Sequence, residues 1–295
     1  MSEIKRILIT GASSALGSFI AKSLRGLNQS QKFELIGLSR TKPINNYFDK
    51  FIRCDLGNFR KIDCVFKEIE NKYFDLLIHA SSAVPISTEN AHEFFQTNCY
   101  GSFYLVEKLR YQIKGILNIS SSSVYNQNDE ILLESSDIDI YNEYGLSKFY
   151  FERILKNFAK VSNIQFISLR VPVLILPGVQ NNFIAKWKEL AEKDEEILIS
   201  NPNSFFNQVG DARVIVGLAT LSLNNYSYND TVNLGSFDTI RISNLTEIFQ
   251  RHLGKKINFK IQESKKKAQL LSTTELQKIP VKLYTVEETI SWYLG

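Results

Sequence analysis

The chain has 295 residues, of which 44% are hydrophobic and 22% are charged, and its formal net charge is +4 at pH 7. This composition is typical of a globular protein with a large core, and the scattered basic residues argue against a nucleic-acid-binding surface. The three cysteines are too few and too irregularly spaced for a disulfide framework or a zinc site, so no metal is predicted. No apolar run reaches the length of about 18 residues that a membrane span needs, and the first residues lack the layout of a signal peptide. We therefore expect a cytoplasmic protein that binds neither a membrane nor a nucleic acid.

Residues 1–170 alternate short apolar runs with longer amphipathic segments. Runs typical of strands lie at 7–10, 33–38, 51–54, 76–80, 115–121 and 164–170. Segments typical of helices lie near 16–27, 58–71, 88–111 and 143–160. This alternation predicts an α/β fold of the Rossmann type, in which helices cover both faces of a doubly wound parallel sheet.

After residue 170 this regular alternation loosens, because prolines and a glycine break the chain into shorter elements. The predicted helices there are 182–193, 211–223, 243–253 and 285–294, and the predicted strands are 196–199, 231–235 and 257–261. We expect two domains, a Rossmann domain over residues 1–170 and a smaller C-terminal lobe over residues 171–295, which is partly interleaved with the main sheet.

The first predicted strand runs directly into a turn of small residues that opens a helix. At such a junction the backbone N–H groups and the helix dipole favour a pyrophosphate. Gly11 permits the tight turn, and Gly17 allows the helix to pack closely on the strand. The residues predicted to bind a dinucleotide here are Gly11, Ser13, Ser14, Ala15, Leu16 and Gly17. Residues 1–170 are therefore expected to form a dinucleotide-binding domain.

This turn resembles the Thr-Gly-x-x-Gly-x-x-Gly fingerprint of the extended short-chain dehydrogenases/reductases, the sugar-nucleotide epimerase/dehydratase type. Ser14 stands where the fingerprint has its middle glycine, and we expect it to alter the affinity for the pyrophosphate without abolishing binding. The resemblance implies that Asp55 contacts the adenine ring; an N-cap of the helix near residue 58 is the alternative role of this residue. The further cofactor contacts that it implies are Leu56, His79, Ala80, Ser81 and Val171.

The end of the second strand bears on which dinucleotide binds. NAD-specific folds place a carboxylate there to bind the ribose 2′-hydroxyl, whereas this chain has Ser39 and Arg40. A guanidinium suits a 2′-phosphate, because its donors match the phosphate oxygens. We therefore predict NADP(H) as the preferred cofactor, with NAD(H) as the alternative.

The segment around residue 144 carries the catalytic prediction. Tyr144 and Lys148 are four residues apart, so a helix places them on one face. A nearby cation favours the phenolate, and we expect Lys148 to lower the pKa of Tyr144 towards the range useful for acid–base catalysis. The resemblance implies that Ser121, four residues before the Tyr of the Val-Tyr pair, is the hydroxyl that binds the reacting oxygen.

The substrate half departs from the family pattern. Family members that act on nucleotide sugars have Arg-x-x-Asn after the sixth strand, but here Val173 replaces the Asn that follows Arg170. Dehydratases have Asp-Glu where this chain has Ser122 and Ser123, which argues against dehydration. The substrate-binding residues implied by the resemblance are Ser122, Ser123, Val173 and Asn182. The arginine that binds the diphosphate in the family is missing from its position near Ser204. Lys186, Lys188 and Arg213 can supply a positive charge instead, and the alternative role of each is that of a surface residue.

Together these features predict an NADP(H)-dependent oxidoreductase that reduces a ketone of a nucleotide-linked keto-sugar, with Tyr144 as the general acid. The first alternative is a nucleotide-sugar 4-epimerase with tightly bound NAD. The second is a non-catalytic dinucleotide-binding sensor, which would not need Ser121, Tyr144 and Lys148 together. The resemblance also implies a homodimer, formed through the helices near 88–111 and 143–160.

Overall fold

A computed structural model of the chain describes residues 4–27, 32–85, 90–126, 129–138, 140, 142–262 and 268–295. The strands are β1 (Lys5–Thr10), β2 (Phe33–Ser39), β3 (Lys50–Arg53), β4 (Leu76–His79), β5 (Gly115–Ser121), β6 (Ile131–Leu132), β7 (Gln165–Val171), β8 (Val173–Ile175), β9 (Ile197–Ser200), β10 (Phe205–Phe206), β11 (Val209–Asp211), β12 (Asp230–Asn233), β13 (Ile240–Arg241), β14 (Phe259–Gln262) and β15 (Leu270–Leu271). The α-helices are α1 (Ala15–Gly26), α2 (Phe59–Ile69), α3 (Ala91–Phe94), α4 (Ser102–Lys108), α5 (Glu143–Ser162), α6 (Phe183–Glu192), α7 (Ala212–Leu223), α8 (Ile242–Leu253), α9 (Thr274–Gln277) and α10 (Val286–Leu294).

A seven-stranded sheet with the order β12-β7-β5-β4-β1-β2-β3 forms the centre of the fold. The neighbouring pairs β1–β2, β2–β3, β1–β4 and β4–β5 run parallel. The strand order reverses direction at β1, so β1 and β4 flank the crevice in which doubly wound sheets bind their ligands. The Rossmann-type fold predicted from the alternating pattern is confirmed.

Apolar side chains on the strands and the facing helices form the main core. Ile7, Leu8 and Ile9 of β1 are fully buried, which is why this strand reads as a continuous apolar run. Phe151 and Leu155 lie one turn apart on α5, and both are fully buried. Burial of each such side chain stabilises the fold by roughly 1.5–3 kcal/mol. The core thus fixes α5, which carries the catalytic candidates, against the sheet.

The segment predicted as one helix over 88–111 differs from that expectation in the part that the structure describes, which begins at residue 90. It consists of α3, a π-helical stretch (Phe95–Gly101) and α4. A Cβ atom on Gly101 would lie 1.6 Å from the carbonyl oxygen of Leu56, so the backbone makes a contact that only glycine allows. The π-helical turns carry Asn98, whose side chain is almost fully buried. Hydrophobic periodicity did not reveal this interruption, because a π turn changes the helical phase by only one residue.

The chain divides into two compact units. Unit 1 comprises residues 1–124, 139–170 and 215–231, and unit 2 comprises residues 125–138, 171–214 and 232–295. The sequence predicted a single border after residue 170, and the two units also meet in the sequence at that position. Residues 125–138 precede this border but belong to unit 2, and residues 215–231 follow it but belong to unit 1. The division of binding roles between the two domains stays a prediction.

Unit 2 has a core of its own, in which Trp187, Phe249 and Ile290 are buried. Small two-stranded pairings, β8–β11, β9–β14, β6–β15 and β10–β13, accompany this core. Of the helices within the described ranges, none is both long and apolar enough to span a membrane.

Candidate active site

The turn between β1 and α1 packs backbone against backbone. Gly11 has φ +71°, and a Cβ atom there would lie 2.6 Å from the carbonyl oxygen of Ala80. A Cβ atom on Gly17 would lie 2.3 Å from the carbonyl oxygen of Gly11. The chain after β4 therefore approaches Gly11, and Gly11 approaches Gly17 at the start of α1, so closely that neither position has room for a side chain. Ser13, Ser14 and Ala15 form the exposed edge of this glycine cradle, next to the buried Leu16, and the cradle fits a dinucleotide pyrophosphate.

Ser14, which replaces the middle glycine of the fingerprint, caps the helix. Its backbone is extended, and its hydroxyl oxygen accepts a hydrogen bond of 3.0 Å from the N–H of Gly17. Serine at an N-cap stabilises a helix by about 1 kcal/mol relative to alanine. The departure from the fingerprint thus has a structural role, because it orders the helix terminus that faces the phosphate position.

Two arginines lie together at the carboxyl end of β2. The Arg40 side chain is 61% exposed, and its guanidinium is 3.8 Å from the carboxylate of Glu93. Arg53 of β3 donates a hydrogen bond of 2.9 Å to the carbonyl of Arg40. Ser39 is buried, and its hydroxyl donates to the carbonyl of Thr41 at 2.7 Å. The Ser39 hydroxyl proton is therefore used within the turn. Arg53, which binds the backbone of Arg40, was not among the residues predicted from the sequence. No local pattern in the sequence could have found it, because Arg53 reaches Arg40 only through the β2–β3 register, which pairs Ser39 with Arg53.

Asp55 follows β3 and remains exposed. Its carboxylate accepts a hydrogen bond of 3.0 Å from the N–H of Gly57, within a local turn. The cap of α2 is Asn58, whose side-chain oxygen accepts from Lys61. The alternative role of Asp55 as the helix cap is therefore wrong, and its neighbour Leu56 is a buried apolar residue.

Ser121, Tyr144 and Lys148 come together where β5 ends and α5 begins. A Cβ atom on Gly145 would lie 2.2 Å from the carbonyl oxygen of Ser123, so the first turn of α5 lies directly on the 3₁₀ turn after β5. Tyr144 lies in this first turn of α5, and its ring packs edge-on against Phe94 at a centroid distance of 5.8 Å. The fully buried ammonium of Lys148 donates a hydrogen bond of 2.6 Å to the carbonyl of Ile119.

Burial dominates the electrostatics of this cluster. It raises the pKa of the Tyr144 phenol, and the hydrogen bonds from Ser121 and Ser82 partly lower it again. Burial also lowers the pKa of Lys148 to about 8, against the opposing effect of the Glu152 carboxylate. Ser121 and Ser82 thus favour the Tyr144 phenolate, and the effect of Lys148 on the pKa of Tyr144 stays a prediction.

A buried ion pair lies one turn beyond Lys148 on α5. Glu152 and Arg170 are almost fully buried, and a guanidinium nitrogen of Arg170 is 2.6 Å from the Glu152 carboxylate. Ser168, two residues before Arg170 on β7, donates its hydroxyl to the same carboxylate at 3.5 Å. The pair satisfies two charges that would each be costly to bury alone.

His79 at the end of β4 is fully buried. Its Nδ1 atom lies 3.1 Å from the hydroxyl of Thr10, and its ring centroid lies 5.0 Å from that of Phe151. Burial, together with the charge of Lys148, lowers the pKa of His79 to about 3, so the imidazole is neutral. The following Ala80 and Ser81 line the glycine cradle, and the N–H of Ser81 donates to the Thr10 hydroxyl at 3.1 Å.

The predicted substrate residues fall into two groups. Ser122 and Ser123 adjoin the catalytic cluster, and the Ser123 hydroxyl lies 3.1 Å from that of Ser121. Val173 and Asn182 belong to unit 2, where Val173 is partly buried in β8 and Asn182 caps α6 with a 2.8 Å hydrogen bond from Ala185. Val171 ends β7 and is buried.

The three cations predicted to supply the missing positive charge all have protein partners. Arg213 forms an ion pair of 2.6 Å with Asp211 and stacks 3.7 Å from the ring centroid of Tyr284. Lys186 and Lys188 pair with glutamates along α6. Within the described ranges, no group of His, Cys, Asp and Glu residues is arranged to hold a metal ion.

Comparison with known proteins identifies relatives of the whole fold. A sequence profile of the "NAD dependent epimerase/dehydratase family" matches residues 7–250. D-erythronate dehydrogenase of Haemophilus influenzae is 25% identical over 281 residues, which cover 88% of this chain and 87% of that protein. The structure of a UDP-glucose 4-epimerase with UDP-glucose from Thermotoga maritima has a TM-score of 0.81 at 18% identity and covers 98% of this chain and 97% of its own. A Thermus thermophilus UDP-glucose 4-epimerase in complex with NAD has a TM-score of 0.78 at 18% identity, with coverage of 98% and 97%.

Proposed function

The chain belongs to the NAD-dependent epimerase/dehydratase family, and we propose that it is a nucleotide-sugar epimerase, which oxidises one secondary alcohol of its substrate and reduces the ketone again. The observation that carries this proposal is the position of the Tyr144 phenol. Tyr144 lies in the first turn of α5, which rests on the turn that follows Ser121, and it is one helical turn before the buried Lys148. A phenol held in this way can take a proton from an alcohol and return it to a ketone.

Three residues of the chain have separate roles in this proposed reaction. Tyr144 accepts the proton of the substrate hydroxyl and later returns a proton to the same oxygen. Ser121 donates a hydrogen bond to that oxygen and fixes its distance from the phenol. Lys148 supplies a positive charge beneath the site, anchored on the carbonyl of Ile119. A nicotinamide dinucleotide in the glycine cradle supplies hydride acceptance and donation when bound.

Ser122 and Ser123 distinguish epimerisation from dehydration. Elimination of water needs an acid and a base besides the tyrosine, and dehydratases of the family carry Asp-Glu at these two positions. Here Ser123 instead contacts the Ser121 hydroxyl, and serine hydroxyls are poor proton donors and acceptors near neutral pH. The UDP-glucose 4-epimerases among the similar structures support the epimerase over the reductase predicted from the sequence.

The second candidate is a dehydrogenase or ketone reductase with an exchangeable cofactor. It is favoured by the likeness to D-erythronate dehydrogenase over most of the chain. The replacement of the family Asn by Val173 supports it as well, because this change weakens the case for a nucleotide-linked substrate. Both candidates use the same groups around Tyr144, so the cofactor balance of the reaction separates them.

The cofactor itself is a separate proposal. Arg40 follows β2 and Arg53 ends β3, and the Arg53 guanidinium donates to the backbone carbonyl of Arg40 at the edge where the ribose of the dinucleotide binds in doubly wound sheets. The Arg40–Glu93 pair is solvent-exposed, and such pairs contribute at most about 1 kcal/mol. A 2′-phosphate can therefore displace Glu93 from Arg40. We propose NADP(H) as the preferred cofactor, with NAD(H) as the alternative.

The deciding experiment follows product and cofactor together. Cofactor-stripped protein is incubated with UDP-glucose, UDP-N-acetylglucosamine or UDP-glucuronic acid, each with NAD⁺ or NADP⁺ in an amount equal to that of the sugar. Proton NMR detects inversion at the sugar, and absorbance at the nicotinamide band detects net reduction. Inversion without net cofactor change supports the epimerase. Stoichiometric cofactor turnover with no inverted sugar would replace it with the dehydrogenase.

The assembly proposal concerns one face of unit 1. Tyr100 and Tyr150 are exposed there, and both pack against Phe95. Ile154, one turn further along α5, is also exposed. An exposed aromatic cluster of this kind favours self-association, and we propose a homodimer through this face. Light scattering at micromolar concentration should give twice the monomer mass, and Tyr150→Asp should reduce it; a monomeric wild type would contradict the proposal.

A further inference from the structure

The buried face of α5 carries two ionisable side chains where helices normally present apolar ones. The residues that follow one another at helical spacing on this face are Lys148, Glu152, Leu155 and Ala159, and all are fully or almost fully buried. Residues four apart on a helix are neighbours, with Cβ atoms about 5–6 Å apart. A buried carboxylate is costly unless protein groups compensate its charge. The proposed reaction uses Lys148 but gives Glu152 no role.

A path of contacts through the sheet joins these two side chains. The Lys148 ammonium donates to the carbonyl of Ile119 on β5 at 2.6 Å. The preceding residue, Asn118, donates from its amide nitrogen to the Ser168 hydroxyl on β7 at 2.9 Å. That hydroxyl lies 3.5 Å from the Glu152 carboxylate. The path thus leaves α5 at Lys148, crosses the neighbouring strands β5 and β7, and returns to α5 one turn later.

Arg170 makes the strongest contact of this network. It lies two residues after Ser168 on β7, so both side chains point to the same face of the sheet. The Nε atom of Arg170 lies 3.2 and 3.3 Å from the two carboxylate oxygens of Glu152, and its Nη2 atom lies 2.6 Å from one of them. A guanidinium that binds a carboxylate through two nitrogens fixes their relative orientation. The pair therefore determines how α5 sits on β7, and hence where Lys148 meets β5.

The charges around Lys148 give Glu152 a second role. The neutral groups on α5 and on the elements packed against it are the carbonyl of Ile119, the phenol of Tyr144, the imidazole of His79 and the thiol of Cys99. Burial keeps the last two neutral, because it lowers the pKa of His79 to about 3 and raises that of Cys99 to about 11. Arg170 adds a second positive charge from β7. The Glu152 carboxylate supplies a negative charge, which opposes the burial that lowers the pKa of Lys148 to about 8.

We propose that Glu152 is a positioning residue: its carboxylate, bound by Arg170 and Ser168, holds α5 in place on β5 and β7 and keeps the Lys148 ammonium charged. The expected effect on rate rests on the proposed function, in which Tyr144 transfers the proton and a nearby cation favours its phenolate. The charge state of Lys148 is independent of that function, because it is measured without a substrate.

The first measurement titrates Lys148 itself. The protein is prepared with lysine that carries an NMR-active carbon label at Cε, and the Lys148 resonance is identified by its absence from Lys148→Met. Its chemical shift against pH gives the pKa in the wild type and in Glu152→Gln, which keeps the size of the side chain and removes the charge. Loss of the opposite charge should lower the pKa by about one unit or more. Loosened packing has the opposite sign, because entry of water raises the pKa towards its ordinary value of 10.5.

Two variants are the controls for this titration. Glu152→Asp keeps the charge on a shorter side chain, so the pKa of Lys148 should stay within about half a unit of the wild type. Glu34→Gln removes a carboxylate that also lies 2.6 Å from an arginine, Arg6, but on β2, at the other side of β1 and β4 from β5, and it should leave Lys148 unchanged. Should Glu152→Gln not fold, Glu152→Gln with Arg170→Met leaves neither charge of the pair unpaired. Removal of the carboxylate should lower the Lys148 pKa in that protein too.

The second measurement is kcat at two pH values, for the substrate that the protein turns over. Glu152→Gln should lower kcat about fivefold at pH 8, where a decrease of one unit takes the charged fraction of Lys148 from about a half to about a tenth. At pH 6 the ammonium stays mostly charged in both proteins, so kcat should differ by less than about twofold. Glu152→Asp should restore the wild-type profile.

The two measurements separate a wrong inference from a wrong function. A Lys148 pKa that is unchanged or raised in Glu152→Gln, or in the double variant if only that protein folds, overturns the role of Glu152, whatever the activity. An equal loss of kcat at pH 6 and pH 8 means that Glu152 is only structural, and this outcome also overturns the inference. Full activity of Tyr144→Phe overturns the proposed function, whereas the titration still decides whether Glu152 keeps the ammonium charged.

Discussion

The two ends of the candidate cofactor site in unit 1 differ in their exposure to water. At the catalytic end, His79 and Lys148 are buried, and each has a hydrogen-bond partner in the protein. At the ribose end, Arg40 and Asp55 stand in solvent. Fixed partners in a dry site strengthen electrostatic interactions and need no reorganisation during the reaction. Exposed charges contribute less, and each can be exchanged without repacking its surroundings.

The buried end therefore determines the proton-transfer chemistry, and the exposed end determines which dinucleotide binds. Burial moves the pKa values of Lys148 and His79 to about 8 and about 3, respectively, so the protonation states at the catalytic end depend on the fold as a whole. The identity of the dinucleotide, in contrast, depends on a few side chains at the end of β2 and β3. Substitutions at the buried end should therefore produce large effects on rate or stability, and substitutions at the exposed end should change affinity alone.

Replacement of Tyr144 by phenylalanine should have the largest effect. The change removes one hydroxyl and keeps the ring, whose edge-on contact with Phe94 has a centroid distance of 5.8 Å. The fold and cofactor binding should remain, while turnover falls by about 10²–10⁴-fold, the usual contribution of a general acid–base group. Steady-state kinetics and a cofactor titration measure the two quantities. Tyr111→Phe, at a tyrosine that is 84% exposed, should leave both unchanged. Turnover within threefold of the wild type would remove Tyr144 from the mechanism.

The buried imidazole of His79 should make stability depend on pH. Its pKa is about 3 in the folded protein, against an ordinary value of 6.5, so below pH 6.5 the unfolded chain binds a proton that the folded chain does not. Protonation thus favours unfolding, and the free energy of unfolding should fall as pH drops from about 6.5 towards 3, by about 1.4 kcal/mol per unit. Between pH 7 and pH 5 the loss amounts to roughly 2 kcal/mol.

Urea unfolding of the wild type and His79→Asn at pH 7 and pH 5 measures this dependence. The variant should be less stable at pH 7 but should lose about 2 kcal/mol less on acidification. His252→Asn, at an exposed histidine of α8, should keep the wild-type pH dependence. Equal pH dependence in the wild type and His79→Asn would show that the imidazole is not buried as a neutral group.

The same contrast explains how much could be predicted from the sequence. Apolar runs and small-residue turns fix the strands of a Rossmann sheet, because buried parallel strands leave a local pattern. The prediction of β5 as residues 115–121 agrees with the structure to the residue. The pairing of Tyr144 with Lys148 also follows from local helical spacing. These features need only a few neighbouring residues.

Contacts between distant segments left no such pattern. Asn98, on a π-helical turn, ties the chain after β4 to α5 through hydrogen bonds with Ser82 and Ser147. Arg53 reaches the backbone of Arg40 because of the β2–β3 register. The need for glycine at residue 101 follows from the close approach of the Leu56 carbonyl, which only the folded backbone shows. The sequence also predicted Lys148 as the group that lowers the Tyr144 pKa. Spacing along the helix placed the ammonium correctly, but it could not show that the carbonyl of Ile119 would hold it.

The smallest expected effect belongs to the exposed end, where Arg40→Ala tests the choice of dinucleotide. A 2′-phosphate gives Arg40 a charge-assisted hydrogen bond that the plain hydroxyl of NAD does not offer, and such bonds contribute roughly 1.5–3 kcal/mol. Since 1.4 kcal/mol is about tenfold in affinity, cofactor-stripped wild type should bind NADPH at least tenfold more tightly than NADH. Arg40→Ala should lose most of that preference and leave NADH binding and the unfolding free energy nearly unchanged. Arg251→Ala is the matched control, because that side chain is also 61% exposed and also pairs with a glutamate, Glu287. Fluorescence titration with both reduced dinucleotides measures the ratio. Equal binding, or tighter binding of NADH, would assign the cofactor as NAD, and the arginines at the end of β2 and β3 would then be surface residues without a role in cofactor choice.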